Sequence, residues 1–163
     1  MKINAIAVGG TIDKIYFDAK SKYEVGEPAI RKILGDLPIH LDIEITPLMA
    51  KDSLEMTDDD RQKVKQAVVT SAADKILITH GTDTMPETAR ALSDIQDKTV
   101  VLTGALAPAI FKDSDAQFNI GGALAALQAL DAGVYIVMNG QVFDALNVRK
   151  DRALNRFMHA DSQ

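Results

Sequence analysis

At 163 residues, with 47% of them hydrophobic, the chain amounts to about one domain and can bury a core without disulfide or metal support. Its net charge of −5 and the lack of a long basic run exclude a nucleic-acid backbone as partner. Cysteine is absent, which removes a disulfide framework, a thiolate nucleophile and cysteine metal sites, and fits a reducing compartment.

The run 3-INAIAV-8 reads as a first strand ending in Gly9-Gly10. The start, 1-MKINAIAVGGTIDK-14, is not read as a secretion signal: its apolar run is short, and Asp13 and Asp18 follow without a small-residue cleavage pattern. The expected location is therefore cytoplasmic. A polar loop is predicted to about Gly26, then a short helix from Glu27 to about Leu34. Alternation in 41-LDIEITPL-48 predicts a half-buried strand. Thr57 with Asp60 resembles a capping box and opens a helix through about Ala73. Lys75 to Thr79 is the next strand. Thr84 with Glu87 predicts a second capping box and a helix to about Ile95, with Pro86 in the first turn, where a missing N–H is tolerated.

The β-branched run 99-TVVLTGAL-106 predicts a central strand, and a helix follows from about Phe118 to Leu130. Gly121-Gly122 weakens that helix unless another backbone packs there. The run 133-GVYIVMNG-140 is the last long strand, a short ribbon is predicted around 141-QVFDALNV-148, and no element is predicted for 151–163. No apolar stretch reaches the roughly 20 residues that a membrane helix needs. The alternation of strands and helices predicts a three-layer α/β domain over 1–163, with a mostly parallel sheet flanked by helices in a flavodoxin- or Rossmann-like core. In such sheets ligands bind beyond the carboxyl ends of the strands. Thr11, Ser53, and Thr82 with Asp83 all fall there.

In 9-GGTI-12 the paired glycines let backbone N–H groups approach a ligand, but the run is neither a phosphate loop nor a dinucleotide fingerprint. On its own the run reads first as a tight turn with an incidental threonine. The string 79-THGTDT-84 holds more hydroxyls than a helix start needs. Capping requires one of them, which leaves Thr82 and Asp83 over. His80 reads as a packed residue before it reads as a general base. In 52-DSLEM-56, Ser53 offers a hydroxyl and an N–H to an anion, or is an ordinary loop residue. The knot 147-NVRKDR-152 is a solvated surface, unless its lysine is desolvated beside Asp83 and moves a threonine proton. His40, His80 and His159 lack metal-ligand spacing, and Asp58, Asp59 and Asp60 suit a first helical turn.

Taken together, 9-GGTI-12, 23-YEVG-26, 52-DSLEM-56, 79-THGTDTMPETA-89, 100-VVLTGA-105 and 147-NVRK-150 resemble the bacterial-type L-asparaginase family, the threonine amidohydrolases, in order and in spacing. The resemblance runs from Lys2 to about Lys150 and corresponds to that family's larger, N-terminal domain. The family's C-terminal domain is expected to be absent. The resemblance implies that Thr11 is the nucleophile and Tyr23 its loop-borne activator, with Thr82, Asp83 and Lys150 handling protons and orienting water. It implies a substrate site of Gly10, Asp52, Ser53, Gly81, Thr82 and Asp83, in which Ser53 holds the α-carboxylate and Asp83 the α-ammonium. Backbone N–H groups near Gly10, Thr11 and Thr82 are the candidate oxyanion donors.

The activity so implied is hydrolysis of the L-asparagine side-chain amide to aspartate and ammonia, without metal or organic cofactor. The implied partners are a small-molecule amide and copies of the same chain, in a dimer or tetramer, with no nucleic acid and no membrane. Three features depart from the family: Leu54 replaces a common polar residue, 104-GALAP-108 lacks the usual arginine, and 113-DSDAQFN-119 keeps Ser, Asp and Asn but not Gly-Pro. They leave open another small amide such as glutamine or a D-isomer, a binding domain without turnover, and a subunit completed by another protein.

Overall fold

The computed structural model describes residues 1–161. Six strands form the main sheet: β1 (Lys2–Gly9), β4 (Asp42–Lys51), β5 (Lys75–Thr79), β6 (Thr99–Thr103), β7 (Gly133–Met138) and β8 (Gln141–Asp144). Their spatial order is β4-β1-β5-β6-β7-β8. All neighbours run parallel except β8, which returns antiparallel to β7. Pro47, which cannot donate to a ladder, is tolerated because β4 is an edge strand.

The four helices, α1 (Ala29–Gly35), α2 (Asp58–Thr70), α3 (Met85–Ala91) and α4 (Ala116–Ala129), cover both faces of the sheet. Side chains alternate accordingly. Ile76, Ile78, Val100 and Leu102 pack on one face with Val64, Val68 and Leu92. Leu77 and Val101 pack on the other with Ile30, Ile33, Ile120 and Leu127. Strands buried on both faces lose polar alternation, which is why 75–79 and 99–103 read as continuous apolar or β-branched runs. This is the three-layer α/β fold expected from the sequence. Among the described residues no helix is long and apolar enough to cross a membrane.

Five expectations need correction. The segment 13–26 is not a plain loop: β2 (Lys14–Phe17) and β3 (Lys22–Val25) form an antiparallel hairpin pairing Tyr16 with Tyr23. A second hairpin, β9 (Arg149–Asp151) with β10 (Arg156–Met158), occupies part of the tail. α3 ends at Ala91 rather than near Ile95, and α2 at Thr70 rather than near Ala73. No backbone approaches Gly121, and a Cβ on Gly122 would meet only a methyl group of Val137, at 3.5 Å. The capping box of α2 forms as predicted: Thr57 Oγ1 accepts from Asp60 N–H at 3.2 Å, and Asp60 Oδ2 accepts from Thr57 N–H at 3.0 Å.

Candidate active site

Chain order reverses across β1: from β1 the chain goes to β4 on one side, then crosses to β5 on the other. That switch point leaves a crevice beyond the strand ends. Thr11 opens a 3-10 turn, Thr11–Asp13, directly after β1. Ser53 opens another, Ser53–Glu55, after β4. Thr82 and Asp83 follow β5 by three and four residues. A Cβ built on Gly10 would lie 2.3 Å from Gly81 Cα, and one on Gly81 would lie 2.6 Å from Ser53 Cβ. Residues 10, 81 and 53 therefore touch in a row. Each candidate threonine is the next residue after a glycine in that row.

Lys150 reaches the same place from the β9–β10 hairpin. Across the hairpin it pairs with Phe157, which is buried in the core beside Phe143 at a ring distance of 6.3 Å. The Lys150 ammonium donates to Thr82 Oγ1 at 2.6 Å and to Asp83 Oδ1 at 2.7 Å. Its side chain is 5% exposed, and that of Asp83 34%. The ammonium occupies a lone pair of the Thr82 oxygen, so the hydroxyl hydrogen points elsewhere and is free for an incoming acceptor. Asp83 keeps an exposed edge on which a ligand cation can sit.

Ser53 is held from several sides. Thr84 Oγ1 donates to the Ser53 carbonyl at 2.7 Å, and Thr84 N–H donates to Ser53 Oγ at 3.3 Å. Thr84 sits at the start of α3, but its side chain makes no capping bond, contrary to the sequence reading. The long-range carbonyl of Ser53 has taken that hydroxyl. Asp52 accepts from Leu54 N–H at 3.0 Å and pairs with Lys14 at 3.0 Å, tying this turn to the β2–β3 hairpin. Burial raises the Asp52 carboxyl, but the Leu54 N–H and Lys14 outweigh it and leave the group below its ordinary range. On the other flank Lys51 pairs with Asp60 at 2.7 Å. That bond, and next the Thr57 N–H, hold Asp60 far below the ordinary carboxylate range.

Tyr23 stands apart from this cluster. It is 47% exposed on the hairpin, and its ring packs edge-on against Tyr16 at 5.5 Å and Phe111 at 5.9 Å. Leu54 is also exposed, at the Ser53 turn. Among the described residues, no group of three or more His, Asp or Glu is arranged to hold a metal ion.

His80 is structural. It is fully buried, its Nδ1–H donates to the Gly81 carbonyl at 2.7 Å, and its Nε2 accepts from Thr88 Oγ1 at 2.8 Å. Burial holds its pKa down at about 4, against the pull of the Gly81 carbonyl and helped by Arg61. Asp13, also buried, is pushed by burial up to about 6 against the Ala29 N–H that it accepts. The two shifts act oppositely on stability. The His80 contribution is full above pH 6.5 and is lost as pH falls to about 4. The Asp13 contribution is full below pH 3.8 and is lost as pH rises through about 6. Each is worth about 3 kcal/mol, so they largely cancel in the same window. Urea unfolding of Asp13→Asn should therefore show a steep fall in stability from pH 6.5 to 4 that the wild type lacks. Parallel curves for the two proteins would refute the Asp13 assignment, and a flat Asp13→Asn curve the His80 assignment.

Sequence reasoning did not find the polar clamp behind the 104–108 loop. Asp115 accepts from the N–H groups of Leu106 at 2.9 Å and Ala107 at 3.2 Å, and from Asn119 Nδ2 at 2.8 Å. Asn119 in turn donates to the Gly104 carbonyl and accepts from Asn139 N–H, both at 2.9 Å. The retained Asp and Asn of 113-DSDAQFN-119 were the available signal. They shape the loop that lacks the family's arginine.

Comparison with known proteins agrees with this fold. A family model described as "Asparaginase, N-terminal" matches residues 2–160. L-asparaginase 2 of Escherichia coli (strain K12) is 34% identical over 160 residues, covering 91% of this chain and 46% of that protein. The L-asparaginase of Bacillus licheniformis is 32% identical over 170 residues, covering 94% and 51%. Among solved structures, the thermostable L-asparaginase from Thermococcus kodakarensis superposes with a TM-score of 0.86 at 28% identity, covering 98% of this chain and 51% of that one. The chain thus spans about half the length of these relatives. A matched family model over nearly every residue, on a fold shared with a solved L-asparaginase, makes this chain a member of the asparaginase family along its N-terminal domain.

Proposed function

We propose that the chain is a threonine amidohydrolase acting on the side-chain amide of L-asparagine. The observation that carries this reading is the buried Lys150 ammonium shared by Thr82 Oγ1 and Asp83 Oδ1, at 2.6 and 2.7 Å. A solvated surface lysine has no need of such a place, whereas proton transfer does. In the proposed reaction Thr11 Oγ attacks the amide carbon, and its proton passes to the leaving nitrogen with Tyr23 as relay, once the β2–β3 hairpin has folded over the bound amide and brought that residue from its exposed position to Thr11. The C–N bond breaks and ammonia leaves. Water, oriented by Thr82 with Asp83 and Lys150, then cleaves the acyl ester and restores Thr11. Ser53 and Asp83 grip the α-carboxylate and α-ammonium, while Asp52 fixes the Ser53 turn. Backbone N–H groups beside Gly10 and Gly81 stabilise the oxyanion, each worth about 3 kcal/mol.

The site is open toward solvent at Tyr23 and Leu54. We propose that a second copy of the chain closes it, in a dimer or tetramer; sedimentation as a monomer at assay concentration would remove that element. A cytoplasmic setting accords with the lack of cysteine. Exposed, apolar Leu54 at the Ser53 turn favours a second reading, in which the pocket also accepts glutamine or a D-isomer. Ammonia release from L-asparagine, D-asparagine and L-glutamine tests both readings. Release led by L-asparagine is expected. Silence on every amide, with a rise in melting temperature on adding aspartate, would mean a binding domain without turnover.

A further inference from the structure

Behind the Thr11 turn lies a cavity of about 590 Å³ whose lining includes none of Thr11, Thr82, Asp83 and Lys150. Its walls come from three parts of the chain: Ile12, Asp13 and Ile15 at the base of the β2–β3 hairpin, Ala29 and Ile33 of α1, and Ala109 from the loop before α4. The volume falls within the range of about 300–1,000 Å³ common to small-ligand sites. Exposed Glu27, Arg31, Lys32 and Asp36 stand at the rim, and one charged group is buried among the apolar walls. Asp13 is 3% exposed, and its carboxylate accepts a single hydrogen bond, from Ala29 N–H at 2.8 Å.

Among the described residues no cation pairs with it. Of the three cations in the lining, Lys14 pairs with Asp52 and Lys32 with Asp36, while Arg31 is exposed and makes no ion pair with Asp13. A buried carboxylate without a counter-charge is destabilising, and it persists in folded proteins where a ligand or partner supplies the charge. We propose that this cavity binds a small organic ammonium compound, its cation paired with Asp13 and its apolar body against Ile12, Ile15, Ile33 and Ala109.

Binding there bears on the hairpin that carries Tyr23. The backbone of Asp13 joins both ends of that hairpin: its N–H donates to the Gly10 carbonyl at 3.1 Å, and its carbonyl accepts from Gly26 N–H at 2.8 Å. Pairing a ligand with the Asp13 side chain steadies both bonds. The hairpin is thereby more ordered when the cavity is filled.

Calorimetric titration with n-hexylammonium and with n-hexanol tests this at neutral pH. The ammonium compound should bind saturably and at least about tenfold more tightly than the alcohol. Asp13→Asn keeps an acceptor for Ala29 N–H and should abolish that preference. Gln117→Trp, on the exposed face of α4 at the cavity mouth, should weaken both ligands without touching Asp13. Amide exchange at Gly26 and Ala29 should slow in the ammonium complex. Equal affinity for alcohol and ammonium, undiminished preference in Asp13→Asn, or no saturable binding would each overturn the proposal. Tighter binding of a glycine-lysine-glycine tripeptide would instead assign the site to a protein's lysine and overturn the small-molecule assignment.

Discussion

Thr11→Ala is expected to reduce ammonia release by about 10⁴-fold or more, because the reaction loses the oxygen that carries the acyl group. The fold should not notice. Thr11 is half-buried, and among the described residues its hydroxyl makes no hydrogen bond, so the melting temperature should stay near that of the wild type. Thr82→Val is expected to lose about 10²- to 10³-fold, since the Lys150–Asp83 pair at 2.7 Å survives it and only the relay oxygen is gone. The double variant should be no slower than Thr11→Ala alone, as groups that serve one step are not additive. Ammonia assays with single-turnover controls measure all three. Retained turnover in Thr11→Ala would place the nucleophile elsewhere and remove the mechanism proposed here.

Gly10→Ala is expected to destabilise the protein by about 4 kcal/mol or more, among the largest effects a single methyl group can have. Two causes add. Gly10 has φ 94° and ψ −172°, a region that essentially only glycine occupies. The new Cβ would also lie 2.3 Å from both Gly81 Cα and Gly81 N, and these are backbone atoms with nowhere to go. Relief requires separating the ends of β1 and β5, which would move Thr11 from Thr82 and end turnover as well. Gly121→Ala is the control. Its Cβ meets nothing within 4 Å, and in the interior of α4 it should stabilise by up to about 1 kcal/mol. Urea unfolding of both variants measures the contrast; a Gly10→Ala protein as stable as wild type would mean that the glycine row is not in contact.

The parts of this fold that the sequence made legible are those decided locally or by burial on a regular period. Thr57 and Asp60 lie three residues apart, so their capping box needs no knowledge of the rest of the chain. Lys75–Thr79 declares itself because both of its faces are buried. Thr84 misled for the opposite reason: a carbonyl 31 residues away, on Ser53, took its hydroxyl. The β2–β3 hairpin was missed because Ile15, Tyr16, Phe17 and Tyr23 are all exposed, and no core face sets a period there. Site residues were legible as motif strings. The contact that aligns them was not, since the row of Gly10, Gly81 and Ser53 joins three turns that only the sheet order brings together.

The distance along the chain from which Lys150 arrives bears on biosynthesis. Its bonds to Thr82 and Asp83 span 68 and 67 residues. A chain made from its amino end can pair β1, β4 and β5 and set Gly10 against Gly81 well before the β9–β10 hairpin emerges. Until that hairpin docks, with Phe157 entering the core, Asp83 has no ammonium and the Thr82 oxygen no donor. On the proposed mechanism turnover therefore waits for the last hairpin to dock, the same step that brings Phe157 into the core.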